Sequence, residues 1–418
     1  MKIKKAVGIE SIGALLLGFS TSLYVVHLAV IGSKTIKLDM VISVIIILLL
    51  LYKKETFNNL GLYFNKVIIF FSFVVIISGI NALIYSYHIG HVERYGKALV
   101  AYLFFVLIYV CVILLKDYRQ NIIQGLLLGL QCNIVLSIIQ YLTFKSGNYL
   151  TLYNFFPQSS FYIPIYNFRT QGFFLEPSHM TQYIISTILL FVLFHKNGFK
   201  KRLIFLSLIL ILLLSKSGNF IVVFCIVILF YMIKRKKGKL IHLKIRPVPL
   251  IINFFVVILI IINMDMIYDF LKDLELDKII NVILFRDRSD SARLQGMLFA
   301  VKLIKEYPMG IGFGMSKTLF DLYTVAQTSY NYFLTVQLEL GILGTLAYII
   351  RIYVLGIKLI LERISDYQIA LGMSIIGSEI AAILNGGYFG SALWVLYGLA
   401  SIEYYENWIS QKRISLRN

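Results

Sequence analysis

Between Val67 and Ser86 the chain passes through twenty consecutive residues without a charged side chain, and it does much the same from Leu99 to Leu115. A helix needs about 20 apolar residues to cross the hydrocarbon of a bilayer. Inside hydrocarbon every backbone N–H and C=O must pair within the protein, which leaves helices and closed barrels as the two spanning solutions. The apolar runs are continuous rather than alternating, which argues against a barrel. Composition agrees: 59% of the 418 residues are hydrophobic and 15% charged, against about 25% charged in soluble domains, and the mean hydropathy is +0.82. The expected fold class is all-α, a polytopic membrane protein.

Apolar runs predict about 12 transmembrane helices: Ile12 to Ile31, Met40 to Leu51, Val67 to Ser86, Leu99 to Leu115, Ile122 to Phe144, Met180 to Phe194, Leu203 to Leu214, Phe220 to Ile233, Val248 to Met264, Tyr332 to Ile350, Ile369 to Leu384 and Ala392 to Glu403. The expected organisation is one integral membrane domain over 1–418, with a first outer loop at 145–178 and a long outer loop at 265–329. In the long loop Leu294, Met297, Leu298, Val301 and Ile304 recur at helical spacing, with Gln295, Lys302 and Lys305 on the other face. Asp290 or Ser291 can cap this amphipathic helix and Pro308 forbids its continuation, so it is expected to lie along the outer interface. A second such piece is expected over Phe270, Leu271, Leu274, Leu276, Ile279 and Ile280.

The net charge of +19 would suggest nucleic acid in a soluble protein. Here Lys196 to Arg202 and Lys234 to Arg246 are short, densely basic connections, the pattern of cytoplasmic loops. Both termini are therefore expected inside, in a bacterial cytoplasmic (inner) membrane, with no nucleic-acid partner. Arg351, at the end of its span, is left undecided by this rule. The three cysteines lie in apolar runs and no histidine pair has metal-ligand spacing, so neither a disulfide framework nor a metal or other cofactor is expected.

Three polar constellations fall on the outer side. Arg169-Thr-Gln-Gly-Phe-Phe-Leu-Glu-Pro-Ser178 places an arginine seven residues before Glu176, either as a structural pair or as an anion-binding Arg beside a carboxylate able to act as a base. Leu214-Ser-Lys-Ser-Gly-Asn219 sets Lys216 at the tip of a helical hairpin, to snorkel or to join a phosphate pocket. Arg286-Asp-Arg288 and Arg293 lead through the amphipathic helix to Pro308-Met-Gly-Ile-Gly-Phe-Gly314. An Arg fork suits phosphate oxygens and glycine-rich backbone can approach a ligand; lipid headgroups are the plainer target.

These residues resemble the O-antigen polymerase and O-antigen ligase family, the Wzy-type membrane glycosyltransferases. Tyr330-Asn331, nine residues, then Gly341-Ile-Leu-Gly344 has the spacing of the ligase-like pattern, with Tyr in place of its first His. Arg293 through Pro308 to Gly314 is similar to the family's Arg, amphipathic helix and Gly-x-Gly-x-Gly. Arg169 to Ser178 resembles its Arg, aromatic-Gly and Glu-Pro-Ser pattern, and Ser215 to Gly218 its Ser-Arg-Ser-Gly hairpin with Lys216 replacing Arg.

The resemblance implies a C-type glycosyltransferase-like (GT-C) fold and transfer between undecaprenyl-diphosphate-linked glycans at the outer membrane face. One lipid-linked repeat unit would be donor and another acceptor, with a flippase and a chain-length regulator as further partners. A sugar hydroxyl would attack the anomeric carbon and the lipid diphosphate would leave, its growing charge stabilised by prepositioned cations. Arg169, Lys216, Arg288 and Arg293 would grip the diphosphate, and Asn331 and Gly312 would position substrate. Tyr330, with a reference pKa near about 10, suits sugar positioning better than proton removal, leaving Glu176 as the alternative base. Two other readings stand beside the polymerase: a ligase moving finished polymer to another acceptor, and a lipid-linked oligosaccharide flippase or transporter. The last needs charge inside the bundle, whereas most spans lack it and the cations gather in loops.

Overall fold

The computed structural model describes residues 8–24, 26–31, 34–51, 60–89, 91–147, 169–174, 176–195, 198–215, 217–235, 288–324, 328–362, 365–385 and 390–415. In chain order these form α1 (Ile9–Ser20), β1 (His27–Ile31), β2 (Lys34–Lys37), α2 (Leu38–Leu51), α3 (Leu60–Tyr63), α4 (Lys66–Ile89), α5 (Val92–Leu114), α6 (Arg119–Lys145), α7 (Pro177–Phe194), α8 (Phe199–Ser215) and α9 (Phe220–Arg235). Beyond 287 come α10 (Arg288–Glu306), α11 (Ser316–Tyr323), α12 (Tyr332–Ile352), a π turn (Tyr353–Ile357), α13 (Lys358–Glu362), α14 (Asp366–Asn385) and α15 (Ser391–Ser415). Among the described residues the architecture is helical apart from one antiparallel hairpin, β1 with β2. Six segments among the described residues are long and apolar enough to cross a membrane: Lys66–Ser86, Val92–Leu114, Lys116–Lys145, Pro177–Phe194, Tyr332–Glu362 and Asp366–Leu384. The expected span Val248 to Met264 and the second amphipathic piece lie outside the described residues.

The expected first span, Ile12 to Ile31, is not one helix. Ser20, Thr21 and Ser22 turn their hydroxyls back onto the carbonyls of Leu17, Gly18 and Phe19 at 3.0, 2.8 and 2.7 Å. Such local bonds compete with helix propagation; α1 stops, and the rest of the apolar run becomes the hairpin. The α1 helix stays in the bundle through two glycines. A Cβ on Gly18 would collide with the Ile122 carbonyl oxygen, and one on Gly125 with that of Leu15, so α1 and α6 touch backbone to backbone, the close approach that small residues allow between membrane helices.

At the centre of the bundle lies Arg351, fully buried. Its Nη2 donates to Glu379 Oε1 at 3.3 Å, Tyr348 donates to Glu379 Oε2 at 2.7 Å, and the Tyr397 hydroxyl also donates to that carboxylate. The guanidinium stacks 4.4 Å from the Phe71 ring centre and 5.0 Å from both Tyr348 and Tyr397. Four helices, α4, α12, α14 and α15, thus meet on one neutralised charge pair. Most span interiors are expected to lack charge; this one holds a pair, tolerated because the charges cancel and an aromatic cage replaces water.

The bundle has two distinct ends. At one, Lys116 lies 3.9 Å over Tyr63, Arg119 binds Glu403 and Glu406 at 3.0 and 2.7 Å, and Lys358 bonds Tyr404 at 2.8 Å. At the other are the hairpin, the start of α7, α10, α11 and the start of α15.

Two outcomes follow. Gly18→Leu or Gly125→Leu should abolish monodisperse protein in detergent, whereas Gly96→Ala, with nothing within 4 Å of its added carbon, should be silent; equal yields of all three would contradict the backbone contact. Arg351→Met should cost about 3–5 kcal/mol by stranding a buried carboxylate. Adding Glu379→Gln, which keeps an acceptor for the tyrosine hydroxyls, should restore much of the lost thermal midpoint.

Candidate active site

Residues 169–174 form a loop held by side chains of its neighbours. Arg169 Nε donates to the Ser215 carbonyl at 2.8 Å, and the Thr170 N–H to Leu214 at 3.3 Å, tying the loop to the end of α8. On the other side Gln140 Oε1 accepts from the N–H groups of Gln171 and Gly172 at 3.3 and 3.1 Å, while Asn133 Oδ1 accepts from Phe173 at 2.8 Å. Gly172 has φ +56°, and a Cβ there would meet Asn133 Oδ1, so this position needs glycine. Gln140 and Asn133 are seven residues apart, hence on one face of α6. Sequence analysis passed over them; the available signal was two carboxamides two turns apart in an apolar span.

Glu176 is exposed and occupies the N-cap of α7, with Pro177 as the first helical residue, the position that tolerates proline best. Its carboxylate accepts from Ser178 Oγ at 3.1 Å, and Asn219 Nδ2 reaches the Ser178 carbonyl at 3.4 Å. The Arg169–Ser178 motif and the Ser215–Asn219 hairpin are therefore brought together at both ends. Lys216 lies outside the described residues. Lys37, on the hairpin, sits 3.4 Å over the Tyr24 ring, and Tyr24 stacks on Phe174, adding a cation and an aromatic wall that sequence reasoning did not assign.

The second assembly is built on glycines. Helix α12 breaks at Gly341 (φ 66°, ψ −161°). Into that break fits the Pro308–Gly314 string: Ile311 N–H donates to Leu338 O at 3.0 Å, Gly312 N–H to Glu339 O at 2.9 Å, and Ile342 N–H returns to Pro308 O at 3.2 Å. Side chains at Gly310 or Gly341 would strike each other's backbone. Ser78 Oγ accepts from Phe313 N–H at 3.2 Å, and Asn81 donates to Met309 O at 2.9 Å, so α4 closes the third side. Gly312 packs directly on Ala82. The string's amides are engaged in this joint, which gives its glycines a packing reason beside the expected ligand-approach role.

The remaining predicted residues lie on α10 and at the start of α12. Arg288 is the first residue of α10. Arg293 is half-buried and continues the stripe of Gly296, Ala300 and Leu303, which is buried against the body. Leu294, Leu298 and Val301 form a second, exposed stripe, so the expected single apolar face is divided between protein and surroundings. Tyr330 adopts a left-handed φ of 51°, uncommon for a bulky residue, and packs on the apolar cluster of Ala300, Leu303, Leu319 and Phe320. Asn331 caps α12, its Oδ1 accepting from Leu334 N–H at 3.1 Å. Glu339 is buried and accepts from Ser316 Oγ at 2.5 Å. Arg169 and Arg293 thus sit on different supports: the first on the loop held by α6 and α8, the second on the body-facing stripe of α10.

The described residues therefore offer an anchored guanidinium at Arg169, a half-buried arginine at 293 and an exposed carboxylate at Glu176, and tyrosine and asparagine at a helix start. Those groups suit holding an anion and handling a hydroxyl-bearing partner. No curated protein matches the chain. Residues 183–349, which run from within α7 through the Lys216 hairpin, Arg288, Arg293, Gly312, Tyr330 and Asn331 to α12 but leave Arg169 and Glu176 outside, match the family model described as O-antigen ligase, in line with the resemblance to the O-antigen polymerase and ligase family.

Proposed function

We propose that this chain is a membrane polysaccharide polymerase that joins undecaprenyl-diphosphate-linked repeat units on the outer face of the cytoplasmic membrane. The observation that carries the reading is Arg293. It is a half-buried guanidinium on the body-facing stripe of α10, inside the region that matches the O-antigen ligase family. Members of that family are glycosyltransferase-like enzymes acting on lipid-linked glycans. In this reading the bundle makes twelve spans in a GT-C-like arrangement. The end bearing Lys116, Arg119 and Lys358 faces the cytoplasm, as the positive-inside rule prefers, and the end bearing Arg169 and Arg293 faces out.

The chemistry assigns roles as follows. Arg169, Lys216, Arg288 and Arg293 hold the diphosphate and stabilise the negative charge that grows on its bridging oxygen. Fixed donors need no reorganisation as the bond breaks, which is why such groups contribute several kcal/mol in partly dehydrated sites. Tyr330, Asn331 and Gly312 shape the sugar subsite, and Glu176 supplies a carboxylate for proton removal. A flippase and a chain-length regulator are the proposed protein partners. The ligase reading is favoured by the description of the matching family; it differs in passing finished polymer once to a different acceptor.

Reconstituted protein given a defined lipid-diphosphate repeat unit, with no nucleotide sugar, should yield a ladder of products. A single addition, seen only with a second acceptor, would instead establish the ligase. Arg293→Ala should lower the transfer rate about 10²–10³-fold, the usual cost of losing one charge-stabilising donor, with insertion and thermal midpoint unchanged. A normal ladder from that variant would remove Arg293 from the mechanism.

A further inference from the structure

At the end of the bundle that carries the candidate site, a small, partly open cavity of ≈ 30 Å³ lies between the end of α1, the 169–174 loop, the first turns of α7 and the start of α15. That is room for one water-sized group, such as a hydroxyl. Thr21, Tyr24, Phe174, His179, Gln182 and Ser186 are among its lining residues.

Most of the polar wall is already engaged. Thr21 donates to Gly18 O at 2.8 Å, Tyr183 to Leu126 O at 2.8 Å, Ser186 to Gln182 O at 3.0 Å, and Gln182 Nε2 to Ser378 O at 3.3 Å. The imidazole of His179 differs: its Nδ1 is enclosed and hydrogen-bonds to no group among the described residues. An enclosed ring nitrogen left without a partner is costly unless a ligand completes it. Four neighbours face the ring. Glu176, one turn earlier, and Lys37, from the hairpin, are the charges that act on it. Tyr24 lies 5.8 Å away, ring centre to ring centre, and Tyr183 lines the same cavity.

We propose that His179, at the cavity between α1, α7 and α15, takes the proton of the acceptor sugar's hydroxyl, with Glu176 stabilising the imidazolium that results. This deepens the polymerase reading and rests on it, with proton removal passing from Glu176 to His179. The hydroxyl O–H bond breaks and its proton goes to an imidazole nitrogen. The oxygen's electron pair forms the new bond to the anomeric carbon, and the bond from that carbon to the phosphate oxygen breaks. Its electron pair departs with the lipid diphosphate. The imidazolium then returns its proton to water. Neutral imidazole is the side chain best matched to this task near neutral pH, and the arrangement gives the exposed Glu176 carboxylate an electrostatic role.

The test uses the full chain reconstituted in liposomes with a defined lipid-diphosphate repeat unit, measuring initial transfer rates across pH. Wild-type rates should fall on the acidic side as the imidazole binds a proton. His179→Gln should lose at least about 100-fold at neutral pH and lose that acidic limb, while binding of the repeat unit is kept. Glu176→Gln removes the negative charge that favours imidazolium, so its acidic limb should move to lower pH. Wild-type rate and limb in His179→Gln, or an unmoved limb in Glu176→Gln, would overturn the proposal and leave the polymerase reading intact. If His179→Gln does not fold, the Glu176→Gln limb decides. Absence of any product from the unaltered protein would remove the polymerase reading, and this assignment with it.

Discussion

A helix that breaks near a membrane must give its interrupted backbone groups to some other part of the chain, because hydrocarbon offers them nothing. At Gly341 the two sides of the break are served by one segment. The Leu338 and Glu339 carbonyls accept from Ile311 and Gly312, and the Ile342 N–H donates to Pro308. The exchange requires two backbones in van der Waals contact, which restricts Gly310 and Gly341 to glycine. Once made, it fixes the end of α10 against the start of α12. Arg293 stands on the helix that the joint holds, and Tyr330 packs on the same cluster as Ala300 and Leu303.

The same logic organises the 169–174 loop by different means. Residues 169–174 have neither helix nor strand to satisfy their amides, and Gln140 and Asn133 act as surrogate backbone, each side-chain oxygen accepting N–H groups of the loop. Arg169 closes the arrangement by binding the last carbonyl of α8. A loop pinned by buried carboxamides exposes little free backbone, so its charged side chain can be held at fixed geometry with modest entropy loss. Rigid support of this kind is what an electrostatic site needs.

Much of this was legible in the sequence, and the failures have identifiable causes. Val67 to Ser86 reads as a span because composition alone decides it, and α4 follows. Ile12 to Ile31 is equally apolar, yet Ser20, Thr21 and Ser22 end the helix through bonds that hydropathy does not register. The Pro308–Gly314 string stood out in the sequence, but a glycine needed for ligand approach and one needed for close backbone packing look the same in one dimension. Arg351 fell at the edge of an apolar run and stayed undecided. Its partner Glu379 lies 28 residues on, and no spacing rule joins charges across helices. His179 sat beside the Glu-Pro-Ser motif and drew no notice, because enclosure and the absence of a partner are properties of three dimensions.

Helix α10 shows how surface chemistry and site chemistry can share one element. Its Arg293–Gly296–Ala300–Leu303 stripe faces the body while Leu294, Leu298 and Val301 face away, and Lys302 and Lys305, one turn beyond Leu298 and Val301, are exposed. Apolar residues flanked by lysines suit the headgroup boundary of a bilayer. A helix seated there would hold Arg293 at the depth where a lipid-borne diphosphate sits, without reaching into either water or hydrocarbon. On the proposed reading, substrate recognition begins with that depth: the lipid tail fixes the height of the leaving group, and α10 fixes the height of the charge that meets it.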